Sequence, residues 1–396
     1  MRLSRRDVIQ TAVNGIALRA AGAAQSRQEA SKKPGHQATS IGQRSTFEQP
    51  RRLSLFPTNS RTPLQDLQGT ITPADLHFER HHSGVPEMDP REYSLLVHGM
   101  VDRPTIFTLA DLKRLPSVTR ICFLECSGNL TASPTATTTP QDLCGLTSQS
   151  EWVGVAVSTL LREVGAKPKA TWFLAEGADA ALLSRSVPVD KGYDDALIAY
   201  GQNGEGLRPE QGYPARLLLP GWEGNMSVKW IRRIELADRP FMTREETSKY
   251  TDPLANDTAR IFSFVMDARS VITSPCPPMR LARGWLEVRG LAWSGYGKIR
   301  RVDISLDNGR NWTPAKLHGP VLSKAHTRFS LPFNWTGEPV TLLSRAVDET
   351  GYVQPSWSEL VATRGPRGNV TYHRNPITGW RIDPDGAVSL RPEAWE

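Results

Sequence analysis

Cys122 and Cys126 stand four residues apart in Arg120-Ile121-Cys122-Phe123-Leu124-Glu125-Cys126-Ser127-Gly128-Asn129, in a chain that has four cysteines among 396 residues. A thiolate is a soft ligand for thiophilic metals and a strong nucleophile, and it serves either role better where its neighbours favour the ionised form. Cys126 has the better surroundings. It follows an apolar run that reads as a strand, and Ser127, Gly128 and Asn129 can turn the chain so that backbone N–H groups approach the sulfur. Cys122 falls inside the run and reads as core. On these residues alone Cys126 stays open between a small buried apolar side chain, a metal ligand and a nucleophile with His82 as its base. Cys144 and Cys276 carry no assignment. Four cysteines do not form a disulfide scaffold at this length, and no Cys-x-x-Cys-His stretch is present to attach a haem.

The elements that must hold Cys126 belong to a mixed pattern. Residues 93–101 read as a strand running into a turn, and Thr108 caps a short helix over 109–115. Further strands are predicted at 119–124, 171–175, 196–200 and 216–219, with a helix over 157–164. Short strands and helices without a regular βαβ repeat predict an α+β domain ending near Leu254. From about Ala259 the texture changes. Residues 285–293, 299–306 and 340–347 alternate apolar and polar, and Asp307-Asn308-Gly309 is a hairpin turn signal. Several short strands over about a hundred residues predict an immunoglobulin-like sandwich.

Length and composition set the outer bounds. A chain of 396 residues with 39% apolar residues and 11 Trp is folded and divides into more than one domain. The net charge of +7 comes from dispersed Lys and Arg, which argues against nucleic acid and suits an anionic substrate or an acidic partner. Arg5 and Arg6 precede a mildly apolar stretch ending in Ala20-Ala21-Gly22-Ala23-Ala24, the pattern of a twin-arginine export signal over 1–24. That signal implies a periplasmic protein. Residues 25–69 lack periodicity and read as a flexible arm, and 366–396 as a C-terminal tail whose segment Gly368-Asn369-Val370-Thr371-Tyr372-His373 could cover the site or a partner surface. No segment approaches the roughly 18 apolar residues of a membrane span.

A family resemblance adds to this reading. Cys126-Ser127-Gly128-Asn129 after an apolar strand resembles the molybdenum-ligating Cys-x-Gly-Asn motif of the sulfite oxidase family. Phe78-Glu79-Arg80-His81-His82 is similar to that family's Phe-x-Arg-Asn-His, Trp152-Val153-Gly154-Val155 to its Trp-x-Gly-Val, and Ser186-Val187-Pro188 to its Ser-Ile-Pro. The segments 212–216, 220–225 and 227–231 follow in the family's order, and Gly290-Leu291-Ala292-Trp293-Ser294-Gly295 resembles part of its dimerisation domain. The runs 172–179, 208–214 and 246–252 resemble the family's sulfane dehydrogenase branch. Plain sulfite oxidases place His where this chain has Gln211, Asn where it has His81, and arginines where it has Leu130 and Thr131.

The resemblance implies an α+β molybdopterin domain of the sulfite oxidase type over 70–258, followed by an immunoglobulin-like dimerisation domain over 259–365. It implies Cys126 as the molybdenum ligand, with Arg80, His82, Asp179, Arg216 and Lys229 holding a molybdopterin. A buried anionic cofactor needs cationic, charge-assisted donors such as Arg80, His82, Arg216 and Lys229 in any case. Tyr250 and Arg80 would face the substrate, the tyrosine as a hydrogen-bond donor to an oxyanion. The implied reaction is molybdenum-dependent oxidation of sulfane sulfur bound to a carrier protein's cysteine, with electrons leaving to a c-type cytochrome subunit. The alternatives are a dehydrogenase of free sulfite and, outside catalysis, an exported binding module. A homodimer through the second domain, within a heterotetramer, completes the implication.

Overall fold

The computed structural model describes residues 34–254, 258–364 and 372–391. The proposed export signal and residues 368–371 of the tail lie outside them. Residues 34–49 belong to a separate unit ending at Gln49 and are exposed, without regular elements. Everything from Pro50 onward forms the second unit.

Its first half is built on two five-stranded sheets. One runs Glu205–Gly206, Leu197–Gln202, Thr147–Ala156 and Ser117–Glu125, with Arg216–Leu218 also paired to Leu197–Gln202. The other runs Thr105–Thr108, Ser94–Gly99, Ile231–Ala237, Trp172–Gly177 and Ser184–Pro188, and its only parallel pair joins Ile231–Ala237 to Ser94–Gly99. Val155, Phe173, Ala175, Leu217 and Ile234 form the core of this half. The helix Val157–Val164 covers it because Val157, Leu160, Leu161 and Val164 recur at helical spacing and bury one face. Gly165 ends that helix at φ +68°, where a Cβ would lie 2.4 Å from the Asp102 carboxylate. Thr108 caps the helix Leu109–Arg114 in a reciprocal box with Asp111.

The second half stacks a four-stranded sheet, Arg269–Ser274, Gly284–Trp293, Thr327–Trp335 and Lys316–His318, with a five-stranded one that includes Ile299–Ser305 and Val340–Asp348. All pairs are antiparallel. Asn308 and Gly309 both take positive φ within the longer connection that turns Ile299–Ser305 back onto Thr313–Pro314. This is the α+β domain and β-sandwich that the sequence predicts. The halves share one apolar core, in which Phe123 and Leu130 pack with Trp293, Phe329 and Trp380. Gly221 and Gly295 approach so closely that a Cβ on Gly221 would meet the Gly295 carbonyl oxygen at 2.4 Å.

Two readings of the chain ends need correction. The stretch read as a flexible arm is ordered from Leu53: Leu53–Phe56 pairs with Asn59–Arg61, which pairs with Glu79–Arg80, and Leu64 and Leu67 enter the shared core. Leu64 and Leu67 are buried from a loop, so no strand or helix period marks them. The stretch read as a tail contributes Gly379–Ile382 and Val388–Leu390, which extend the sheet beyond Val340–Asp348 and bury Trp380. These strands are too short for alternation to stand out.

Candidate active site

The strand Ser117–Glu125 delivers Cys126 to a tight turn. Its backbone N–H donates to the Leu146 carbonyl at 3.0 Å, and Asn129 N–H donates back to the Cys126 carbonyl at 2.9 Å. The Gly128 N–H points at the Cys126 sulfur and favours its ionised form, with help from Arg80. Burial is the larger influence and leaves the thiol above its ordinary pKa. Cys126 is the one partly exposed thiol of the four. Cys122, Cys144 and Cys276 are buried, and burial pushes each thiol up to about 12, as befits packing groups.

Above Cys126 lies a cavity lined by all seven residues singled out from the sequence: Cys126, Arg80, His82, Asp179, Arg216, Lys229 and Tyr250. They arrive from distant parts of the chain. Arg80 ends the short strand Glu79–Arg80 and His82 follows it, Arg216 begins Arg216–Leu218, and Lys229 precedes Ile231–Ala237. Asp179 also closes the turn after Trp172–Gly177, accepting from Leu183 N–H at 3.2 Å. Its carboxylate therefore has a local structural task as well as a place at the cavity.

The cavity's electrostatics are lopsided. Arg216 donates to the carbonyls of Gln211 at 3.0 Å and Ser227 at 2.8 Å, and Lys229 to those of Arg80 and Glu210 at 2.8 Å each. Neither meets a carboxylate among these contacts. Burial brings Arg216 down to about 9; burial and the neighbouring Arg216 bring Lys229 down to about 7. Two mutually repelling buried cations held by neutral carbonyls make a receptor for an anion. The donor set is one thiol, several cations and backbone carbonyls, which fits an anionic pterin bearing a thiophilic metal.

Tyr250 and His82 meet at the same cavity, with the hydroxyl 3.1 Å from His82 Nε2. Burial and the charge of Arg80 lower His82 to about 4, so it is neutral at neutral pH; burial keeps Tyr250 protonated. The family resemblance implies His82 on the pterin and Tyr250 on the substrate; the fold couples them.

Residues missed at the sequence level lie beneath and beside this pair. Fully buried Arg185 sits under the Tyr250 ring, 5.2 Å from its centroid, and pairs with Glu223 at 3.2 Å and Glu246 at 3.6 Å. Glu223 also meets His373 Nε2 at 3.3 Å, and His373 N–H donates to the Ser127 carbonyl at 2.8 Å. Tyr372 stands 5.3 Å from Tyr250, ring to ring. The segment 368–373, which the sequence offers as a cover for the site or for a partner surface, contains Tyr372 and His373, whereas a lone arginine in Ser184–Pro188 carries no signal. Leu130 turns away into the shared core. His81, Gln211 and Asn225 complete the wall.

A partly exposed thiol in a cationic cavity on an α+β domain, backed by a β-sandwich, suits a molybdopterin-type oxidoreductase, and the comparisons agree. Residues 82–245 match the oxidoreductase molybdopterin binding domain and 260–379 the Mo-co oxidoreductase dimerisation domain. Sulfite oxidase of Gallus gallus is 30% identical over 76% of this chain and 72% of that protein. Mitochondrial sulfite oxidase of Drosophila melanogaster is 31% identical over 83% of the chain, and NADH nitrate reductase of Ulva prolifera 29% over 86%. The chain spans 64% and 44% of the length of those two relatives. The crystal structure of the sulfane dehydrogenase SoxCD from Paracoccus pantotrophus superposes with a TM-score of 0.88 at 45% identity, covering 93% of this chain and 97% of that one. The chain belongs to the sulfite oxidase family of molybdopterin oxidoreductases.

Proposed function

We propose that this protein is a molybdenum-dependent sulfur dehydrogenase that oxidises sulfane sulfur carried on a partner protein's cysteine and passes the electrons to a c-type cytochrome. The likeness to the Paracoccus pantotrophus sulfane dehydrogenase, at 45% identity over nearly the whole chain, carries this reading. When bound, the molybdenum–molybdopterin supplies two-electron redox chemistry at sulfur. Arg216 and Lys229 hold the anionic pterin, with Arg80, His82 and Asp179 around it, and Cys126 holds the metal. Tyr250 keeps its proton and presents it to an oxyanion, while neutral His82 fixes the hydroxyl through Nε2.

The cation inventory favours a carrier-bound donor over free sulfite. The positions after Asn129 hold Leu130, buried in the core, and Thr131, and neither lines the cavity. Arg80 is the cation that acts on the Cys126 sulfur most strongly. A free dianion needs several cations at the reacting end, whereas a sulfane tethered to protein needs fewer. We further propose twin-arginine export to the periplasm, where such a cytochrome is available, and assembly as a homodimer through the second domain with a cytochrome subunit.

The deciding experiment is cytochrome c reduction by the holoprotein, with free sulfite against a sulfane-loaded carrier protein. Faster reduction with the loaded carrier supports the proposal; faster reduction with sulfite makes the protein a sulfite dehydrogenase.

A further inference from the structure

Glu125, the residue before Cys126, is fully buried, and its partners come partly from the other half of the molecule. Its Oε1 accepts from Asn129 Nδ2 at 2.9 Å and from Arg269 Nη1 at 2.6 Å, and its Oε2 accepts from Trp293 Nε1 at 2.7 Å. Arg269 Nη1 also donates to the Asn129 carbonyl at 2.5 Å. Both ends of the Cys126 turn, residues 125 and 129, are therefore gripped by the β-sandwich. Asn129 Oδ1 completes the frame by accepting from Leu146 N–H at 2.8 Å.

Arg269 and Trp293 are cross-strand partners, opposite one another where Arg269–Ser274 pairs with Gly284–Trp293. One rung of a sheet thus supplies both donors. Their spacing is set by the ladder rather than by loose side chains, and the Arg269 guanidinium lies over the Trp293 ring, 6.0 Å from its centroid. The carboxylate they hold is the residue bonded to Cys126. A thiol has a single Cβ between backbone and sulfur, so a shift of the turn is passed to the sulfur almost undiminished.

We propose that this rung positions the metal thiolate: Arg269 and Trp293, through Glu125 and Asn129, set the direction of the Cys126 sulfur, which makes the second domain part of the site as well as an assembly module. The inference rests on Cys126 being the molybdenum ligand. Partners that orient a metal ligand commonly matter by about 10–100-fold.

The test uses Arg269→Met, Arg269→Lys, Trp293→Phe and the double variant Glu125→Gln/Arg269→Met, with Cys126→Ser as control. In loaded protein the readouts are the thiolate-to-molybdenum absorption band and turnover per molybdenum, using the sulfur donor preferred in the cytochrome assay. In cofactor-free protein the readout is hydrogen exchange of amides 126–130. Arg269→Met is expected to move the band, lower turnover per molybdenum about 10–100-fold, and speed exchange at 126–130 without speeding it in the helix Val157–Val164. Arg269→Lys, which keeps a donor cation, should recover most of the band and the exchange protection. If Arg269→Met does not fold, the double variant, which leaves no unpaired buried carboxylate, serves instead and should fold with a shifted band. Trp293→Phe should show the smaller shift of one lost hydrogen bond. A wild-type band, turnover and local exchange in either folded variant lacking Arg269 overturns the inference. A wild-type band in Cys126→Ser overturns the ligand assignment itself, independently of Arg269.

Discussion

The hydroxyl of Tyr250 lies 3.1 Å from Nε2 of His82, although 168 residues separate them in the chain. Because His82 is lowered to about 4, the imidazole is neutral at neutral pH, and its Nε2 can donate to or accept from the hydroxyl according to its tautomer. Tyr250→Phe removes the donor while keeping the ring packed over Arg185 and against Tyr372. Turnover is expected to fall about a hundredfold, the low end for losing a donor aimed at developing charge, with molybdenum content unchanged. Steady-state kinetics alongside metal analysis checks this, and wild-type turnover would remove Tyr250 from the catalytic group.

Cys126→Ser exchanges a thiolate for a poor ligand at nearly constant volume. Loss of activity should exceed about a hundredfold, since even partners that merely orient a ligand reach that range. The melting temperature of the cofactor-free protein should stay within a few degrees of wild type, because the turn is held by backbone and by Asn129. Retained full activity would end the ligand assignment.

Lys229 gives the cofactor-free protein a characteristic pH dependence. Its folded pKa, about 7, is below the roughly 10.4 of an unfolded lysine. Between these values the unfolded chain binds more protons, so stability rises as pH increases from about 7 to 10. At about 1.4 kcal/mol per unit the full effect is on the order of a few kcal/mol. Urea unfolding at pH 6 to 9 should show the slope in wild type and a flatter one in Lys229→Met. Loading with the anionic cofactor should flatten it as well, and an equal slope in all three would remove Lys229 as its source.

His373 and Glu223 contribute over a different window. Burial works against the His373 charge, but the hydrogen bond and charge of Glu223 outweigh it and raise the imidazole above its ordinary value. A raised histidine stabilises most fully below its unfolded pKa of about 6.5, and that contribution is lost as pH rises through the folded value. Burial also opposes the Glu223 charge, yet the His373 hydrogen bond leads the contacts that hold it below the usual range, so its part is lost as pH falls through its folded value. His373→Gln should cost about 3 kcal/mol at pH 6, the low end for removing one partner of a buried pair, and less at pH 8. Denaturant melts at the two pH values test it; equal costs would contradict a charged His373.

Replacing Arg5 and Arg6 by lysine should leave the protein in the cytoplasm, as twin-arginine export depends on the guanidinium pair. Cell fractionation decides this, and normal export of the double variant would count against periplasmic placement.

What the sequence determined by itself is local: the strand that leads into Cys126, the Thr108-capped helix, the amphipathic helix 157–164, the Asn-Gly turn and the alternation of the sandwich. Each depends on neighbours within a few residues, so period and turn chemistry suffice to mark it. The seven cavity residues were also legible, but through ordered motifs, since no spacing rule joins Arg80 to Tyr250. Tertiary structure decided what distance in the chain conceals. It set Tyr250 against His82, buried Leu64 and Leu67 from a loop, drew Gly379–Ile382 into the sheet, and laid Arg269 and Trp293 against Glu125. A buried charge can be placed only where its partners already stand, and those partners come from strands whose order belongs to the fold.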